Sequence, residues 1–181
     1  RRMETAQPVV ETKKPGAVLF MCGLNSIRSP MAEAIARHYL PQSVYVASAG
    51  VRRGERDPFV DIVLDEVGLS LGKHQPHMLD DLEDDYFDLI VTLAPEAHHV
   101  ALDITRSWAV DIAYWPTPDP TVATGTRDQI LDAYRAVRDD IGATGQHRAG
   151  GPVKISLHAC ESRDFGINSR ARTVHKAMAF V

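Results

Sequence analysis

Apolar positions along the chain fall into two kinds of run. Val18-Leu19-Phe20-Met21 and Leu89-Ile90-Val91-Thr92-Leu93 are short and continuous, with the composition of buried strands. Ser43 to Ser48 is rich in β-branched and aromatic residues and reads as another strand, closed by Ala49-Gly50, and Trp108 to Tyr114 reads as a fourth. Between them lie segments with helical spacing. Met31 to Ala36 is made of good helix formers and stops near Leu40-Pro41. Phe59, Ile62, Val63 and Val67 share one face of a helix over Pro58–Val67, which Gly68 ends, and a short helix is expected over Pro95–Leu102. Ile130, Leu131, Tyr134, Val137 and Ile141 form the apolar stripe of a last helix over Thr126–Ile141. Alternating strands and helices predict an α/β fold, a four-stranded parallel sheet with helices on both faces.

The flanks read differently. Residues 1–16 are polar, carry two prolines and read as a flexible leader, with Met3 a candidate start. Residues 17–143 form the domain. Residues 144–181 read as a largely irregular extension rich in Gly, His and Arg, with a short strand within Pro152–Leu157 and a cysteine at Cys160. Residues 80–88 hold six acidic residues in nine, a solvated face with no metal-site spacing. His98 and His99 are adjacent, so a helix would point them apart rather than at one metal.

Composition narrows the field further. With 181 residues and a 44% hydrophobic content, one domain with its own core is expected. A net charge of −4 argues against nucleic acid as a partner. Two cysteines far apart do not make a disulfide framework, which points to a reducing, cytoplasmic setting. No stretch approaches the ~20 apolar residues of a membrane span, and the N-terminus lacks the apolar core of a secretory signal.

The chemistry concentrates in Val18–Glu33, VLFMCGLNSIRSPMAE. A strand ends at Cys22, a loop follows, and Arg28 precedes Ser29-Pro30, which suit the N-cap and first turn of a helix. Loop amides and a helix N-terminus together form a site for an oxyanion. Arg28 adds a permanently charged fork that matches two oxygens of a tetrahedral anion. Cys22 sits in the same positive potential, which favours the thiolate, and a thiolate beneath a bound phosphate is a nucleophile for phosphoryl transfer.

Cys22-Gly23-Leu24-Asn25-Ser26-Ile27-Arg28-Ser29-Pro30 resembles the signature of the low-molecular-weight protein tyrosine phosphatase family, and of the related thioredoxin-coupled arsenate reductases. The matching elements are C-x5-R-S and an Asn three residues after the Cys. The resemblance spans roughly residues 17 to 143 and implies the phosphotyrosine phosphatase I-like sheet order 2-1-3-4, with the site at the strands' C-terminal edge. It also implies roles. Cys22 is the nucleophile. Arg28 and the amides of Gly23, Leu24, Asn25, Ser26, Ile27 and Arg28 hold the phosphoryl oxygens. Ser29 hydrogen-bonds the thiolate. Ser48-Ala49-Gly50 matches a second family element, and the loop after it, with Arg52, Arg53 and Arg56, is either a cationic rim or solvated charge. His74 occupies the position of a His that pairs with the loop Asn, here Asn25; read without the family it is a surface histidine. His77 is assigned no role. Asp119-Pro120, after the fourth strand in the rigid loop Trp115–Pro120, matches the family's general acid, although Asp-Pro is also a common turn.

The match has departures. Leu24 stands where the family usually has a Gly that permits an unusual backbone, which would reshape the loop slightly. Ile27 replaces a second cysteine that protects the first against oxidation. Thr121-Val122 follows Asp119-Pro120 where eukaryotic members commonly have tyrosines flanking an aromatic substrate. The expected activity is hydrolysis of a phosphorylated protein or a small phosphomonoester through a phosphocysteine, with Asp119 as acid and then base and with no metal or organic cofactor. Two alternatives stand beside it. Arsenate reduction starts from the same cradle but needs further cysteines nearby. A catalytically weak oxyanion-binding module would need neither the thiol nor the acid.

Overall fold

The computed structural model describes residues 15–84, 86–145, 154–156 and 177–179. Its core is a four-stranded parallel sheet of β1 (Ala17–Cys22), β2 (Tyr45–Gly50), β3 (Leu89–Thr92) and β4 (Asp111–Tyr114), in the order β2-β1-β3-β4. The connecting helices are α1 (Arg28–Tyr39), α2 (Pro58–Asp65) and α3 (Pro95–Ile104), and α4 (Arg127–Gly145) follows β4. Every residue of β1 and β3 is buried, as a parallel strand covered on both faces must be. The β1–β2 crossover runs one way from β1 and the β3–β4 crossover the other. Right-handed crossovers therefore put α1 and α3 on opposite faces. Met31, Ala32 and Ile35 of α1 and Ala97 and Ala101 of α3 are buried in the resulting core.

Several boundaries differ from those the pattern predicts, each for a local reason. Ala49 and Gly50 belong to β2, because they stay paired with Met21 and Cys22. Strand β4 starts only at Asp111. The amides of Ser107 and Trp108 still bond back to Ile104 of α3, so the chain is turning there and not extended. Helix α1 begins one residue before Ser29, and Ser29 does not cap it; its hydroxyl is used in the site. Helix α2 does have a side-chain cap, Asp57, whose Oδ1 accepts from Phe59 N–H at 2.8 Å. The other carboxylate oxygen of Asp57 accepts from the Tyr134 hydroxyl at 2.8 Å, which ties α4 to the start of α2.

The acidic run is only partly a solvated face. Asp88 Oδ2 accepts from the amides of Gly16 and Ala17 at 2.6 and 3.0 Å and so anchors the start of β1. Asp81 caps a one-turn 3₁₀ helix, Leu79–Asp81, through the Met78 amide. In the extension, Lys154–Ser156 (β5) pairs antiparallel with Ala177–Ala179 (β6), and β5 falls within the stretch read as a short strand. The leader through Lys14, Cys160 and the remaining extension lie outside the described residues. Among the described residues no helix is long and apolar enough to cross a membrane.

The strand order reverses between β1 and β3, so their following helices leave on opposite faces and a crevice opens at the C-terminal edge. Four segments meet at that edge: residues 22–28 after β1, 50–56 after β2, 93–96 after β3 and 115–122 after β4.

Candidate active site

The loop from Cys22 to Arg28 is held from outside by the segment that follows β2. The amides of Val51, Arg52 and Gly54 donate to the carbonyls of Cys22, Gly23 and Leu24 at 3.1, 2.9 and 2.9 Å, which prolongs the β1–β2 ladder into the loop. In a trans peptide the N–H points opposite to the preceding C=O. Fixing those carbonyls therefore turns the amides of Gly23, Leu24 and Asn25 the other way. This contact is close: a Cβ at Gly50 would lie 2.8 Å from Asn25 N and from Leu24 C, both backbone atoms.

The residue with a left-handed backbone is Asn25, at φ 54°, and not Leu24. Asparagine tolerates this region better than most residues, so Leu24 needs no glycine-like freedom. Leu24 instead points outward, 45% exposed. Asn25 is fully buried and its amide is saturated. Its Nδ2 donates to Ser29 Oγ and Ser48 Oγ, each at 2.9 Å, and its Oδ1 accepts from the His77 amide at 3.1 Å.

Cys22 is a free, buried thiol with Sγ 3.0 Å from Ser29 Oγ. Ser29 Oγ already accepts from Asn25, and its one proton has two acceptors, Cys22 Sγ and the more distant Ala49 carbonyl at 3.4 Å. When the sulfur is a thiolate, the charge draws that proton. The network continues inward. Ser48 Oγ donates to Glu33 Oε2, and Glu33 is paired with Arg37 Nη2 at 2.6 Å. Ser29, Glu33 and Arg37 stand at successive i, i+4 positions on one face of α1.

His74 is expected to pair with Asn25; the Asn25 main chain is near enough to favour the charged His74 ring, while the Asn25 side chain makes its bonds elsewhere. The Asn25 acceptor is taken by the main-chain amide of His77, and His74 Nδ1 lies 3.7 Å from Glu33 Oε2. Burial lowers the His74 pKa, and the charges of His77 and Arg56 add to this. Glu33 and the Asn25 main chain oppose the shift without overcoming it.

Arg28 reaches across the crevice. Its Nη1 donates to the Thr117 carbonyl at 3.2 Å, and its Nη2 lies 3.8 Å from Asp119 Oδ2 and 4.0 Å from Glu96 Oε1. Asp119 caps the 3₁₀ turn Pro120–Val122, with Oδ1 accepting from the Thr121 amide at 2.9 Å and the Thr121 hydroxyl at 2.7 Å. Partial burial raises the carboxyl's pKa, but the two Thr121 hydrogen bonds and the Arg28 charge outweigh it and hold the group below the usual carboxylate range.

Two of the three arginines after β2 are held in ion pairs. Arg53 pairs with Asp81 at 2.7 Å, and Arg56 pairs with Asp61 at 2.6 Å while bonding the Gly72 and His74 carbonyls. Val122 is 80% exposed beside Asp119.

The structure thus brings Cys22, Arg28, Ser29, Asn25 and Asp119 to one edge, with residues 23–27 as the loop between. Sequence reasoning missed Glu33, Ser48, the Thr117 carbonyl and Glu96. Glu33 could have been found as the residue one turn after Ser29. Ser48 lay inside a recognised motif without a role. Glu96 follows Pro95 at the first turn after β3, a position the topology sends to the crevice.

Comparison with known proteins agrees with this architecture. The family model for low molecular weight phosphotyrosine protein phosphatase matches residues 17–147. An arsenate reductase of Shouchella clausii (strain KSM-K16) is 32% identical over 127 residues, covering 70% of this chain and 89% of its own length. An arsenate reductase of Bacillus subtilis (strain 168) is 32% identical over 125 residues, covering 69% and 88%. The crystal structure of the Erwinia amylovora tyrosine phosphatase amsI superposes with a TM-score of 0.60 at 25% identity, over 74% of this chain and 91% of that one. A β1–loop–α1 unit carrying Cys22 and Arg28, a 2-1-3-4 sheet and a match over most of the chain lead to one conclusion: the chain belongs to the low molecular weight phosphotyrosine protein phosphatase family.

Proposed function

We propose that the protein hydrolyses phosphomonoesters through a phosphocysteine intermediate. The observation that carries this reading is Arg28. Its guanidinium leaves the same loop as the Cys22 thiol and reaches to 3.8 Å from the Asp119 carboxylate, which gathers a nucleophile, an oxyanion clamp and an acid at one edge of the sheet.

In the first step the Cys22 thiolate attacks phosphorus and the P–O bond to the leaving group breaks. Arg28, the loop amides and the N-terminus of α1 stabilise the equatorial oxygens. Asp119 gives its proton to the departing oxygen. In the second step water attacks the phosphocysteine, Asp119 takes a proton from that water, the S–P bond breaks, and phosphate and thiolate are released. Asp119 must be protonated for the first step, yet Arg28 and Thr121 favour its ionised form in the free site. A bound phosphoryl dianion occupies Arg28 and adds negative charge beside the carboxyl. Both changes raise its pKa, so substrate itself turns Asp119 into an acid. The substrate class is a phosphorylated protein or a small phosphomonoester.

The test is hydrolysis of para-nitrophenyl phosphate and phenyl phosphate near pH 6 by wild type, Cys22→Ser and Asp119→Ala. Cys22→Ser is expected to be inactive. Asp119→Ala is expected to lose about 10²–10⁴-fold, more with phenyl phosphate, whose poorer leaving group needs the proton more. Wild type that binds phosphate without turning over either ester refutes the reading.

A second reading is favoured by the 32% identity to proteins named arsenate reductase. It starts from the same cradle. The loop position of a second thiol is Ile27, and the remaining cysteine of the chain is Cys160. Loss of two titratable thiols after arsenate treatment of the full chain supports it; an unchanged thiol count speaks for hydrolysis.

A further inference from the structure

Glu96 stands at the mouth of the oxyanion loop, and nothing in the hydrolysis above uses it. It comes from the first turn of α3, and its side chain is 48% exposed. Its Oε1 lies 4.0 Å from Arg28 Nη2, the same nitrogen that faces Asp119. It also lies directly over Gly23, where any added Cβ would collide with the carboxylate. The two features belong together: Gly23 has no side chain at the point where Glu96 rests. Gly23 is not in a left-handed conformation, so its backbone does not call for glycine, and a Cβ there would push the Glu96 carboxylate aside.

A carboxylate here opposes an incoming phosphoryl dianion, because it shares the guanidinium that must bind it. The cost is offset when the substrate brings its own cation to Glu96. Resting on the phosphomonoesterase reading, we infer that Glu96 is a specificity-determining residue, which selects phosphomonoesters carrying a cationic group within a few ångströms of the phosphoryl group and disfavours those with an acidic neighbour. Asp119, 3.8 Å from the same Arg28 Nη2, serves the leaving oxygen in the hydrolysis proposed above, which leaves Glu96 free for the neighbouring charge.

The experiment is calorimetric binding to wild type, Glu96→Gln, Gly23→Ala and the double variant, with three probes: inorganic phosphate, O-phosphoethanolamine and ethyl phosphate. A unit charge at this range through water is worth about a fivefold change in affinity. Wild type is therefore expected to bind O-phosphoethanolamine about fivefold more tightly than ethyl phosphate, and the isosteric Glu96→Gln to abolish that preference. Glu96→Gln is also expected to bind inorganic phosphate about fivefold more tightly than wild type. Gly23→Ala displaces the carboxylate without removing it and should shift both readouts in the same direction, with no further gain in the double variant. Steady-state assays should place the effect of Glu96→Gln on KM and not on kcat.

An unchanged preference in Glu96→Gln overturns the inference, as does full additivity of the two substitutions. The binding readout needs no turnover, so the two readings fail separately. Phosphate binding with the expected preferences but without hydrolysis refutes only the phosphatase. Hydrolysis with no Glu96-dependent preference refutes only this inference. Failure of wild type and Glu96→Gln alike to bind phosphate overturns both.

Discussion

Replacing Asn25 by alanine removes three hydrogen bonds and leaves a left-handed backbone behind. The lost bonds are those to Ser29 Oγ and Ser48 Oγ at 2.9 Å and from the His77 amide at 3.1 Å. At ~1 kcal/mol net for each, they amount to about 3 kcal/mol. The backbone at φ 54° adds ~1–2 kcal/mol for a residue with a Cβ. Asparagine bears part of that strain too, so Asn25→Ala should cost about 3–4 kcal/mol in all. Asn25→Gly loses the same bonds but escapes the strain. Its greater freedom when unfolded returns ~0.4–1 kcal/mol of that gain, so glycine should be more stable than alanine by roughly 0.5–1 kcal/mol. Urea unfolding followed by tryptophan fluorescence measures both, and phosphate binding reports whether the loop keeps its shape. An alanine variant that loses under ~1 kcal/mol refutes the hydrogen-bond sum. A glycine variant no more stable than the alanine one refutes the backbone argument.

Other consequences can be checked in the same way. Tyr134→Phe should lose about 1 kcal/mol in urea unfolding, the hydrogen bond to Asp57, with activity retained. Gly50→Ala should destabilise by at least ~1–3 kcal/mol and abolish phosphate binding, since the new methyl meets backbone atoms of the loop. Gly68→Ala, at φ 74° in open space, should cost only about 1 kcal/mol and leave binding intact. His98 is stacked on Tyr114 with its ring nitrogen 3.0 Å from Thr92 Oγ1, and burial, then the charge of His99, lowers its pKa. Below pH ~6.5 the unfolded chain therefore takes up this proton more readily than the folded one, and stability should fall as pH drops through that window. His98→Gln should flatten the fall relative to wild type in melts at about pH 7 and pH 5, on either side of the ordinary histidine value; an equal fall in both refutes the assignment.

Much of this was legible in the sequence because the signals were local. The continuous apolar run of β1 and the helix-forming stretch after Pro30 define a strand–loop–helix whatever surrounds them. The topology of an α/β sheet then sends the segment after β4, with Asp119, to the same edge. What escaped was tertiary. Ser29 looks like an N-cap, but the thiol and Asn25 compete for its hydroxyl. His74 belongs to the segment that meets Asn25, yet the main-chain amide of His77, directly after Pro76, takes the acceptor instead. No side-chain pattern announces a bond made by the backbone. The sequence left Arg53 and Arg56 open between a cationic rim and solvated charge, and neither reading included their partners Asp81 and Asp61.

The segment after β2 has a consequence for how the loop can vary. By engaging the carbonyls of Cys22, Gly23 and Leu24 on one side, residues 51–54 sort the peptide dipoles of the loop, oxygen one way and hydrogen the other. The direction of the loop amides is thus imposed by a neighbouring strand end and does not come from residues 23 and 24 themselves. Leu24 turns its side chain outward, and a side chain at position 23 would meet the Glu96 carboxylate. The constraint has moved to Gly50 and Gly54, where any side chain would wedge the two segments apart. An insertion between Gly50 and Gly54 would slip this register and release the carbonyls of Cys22, Gly23 and Leu24 without changing any residue of the loop.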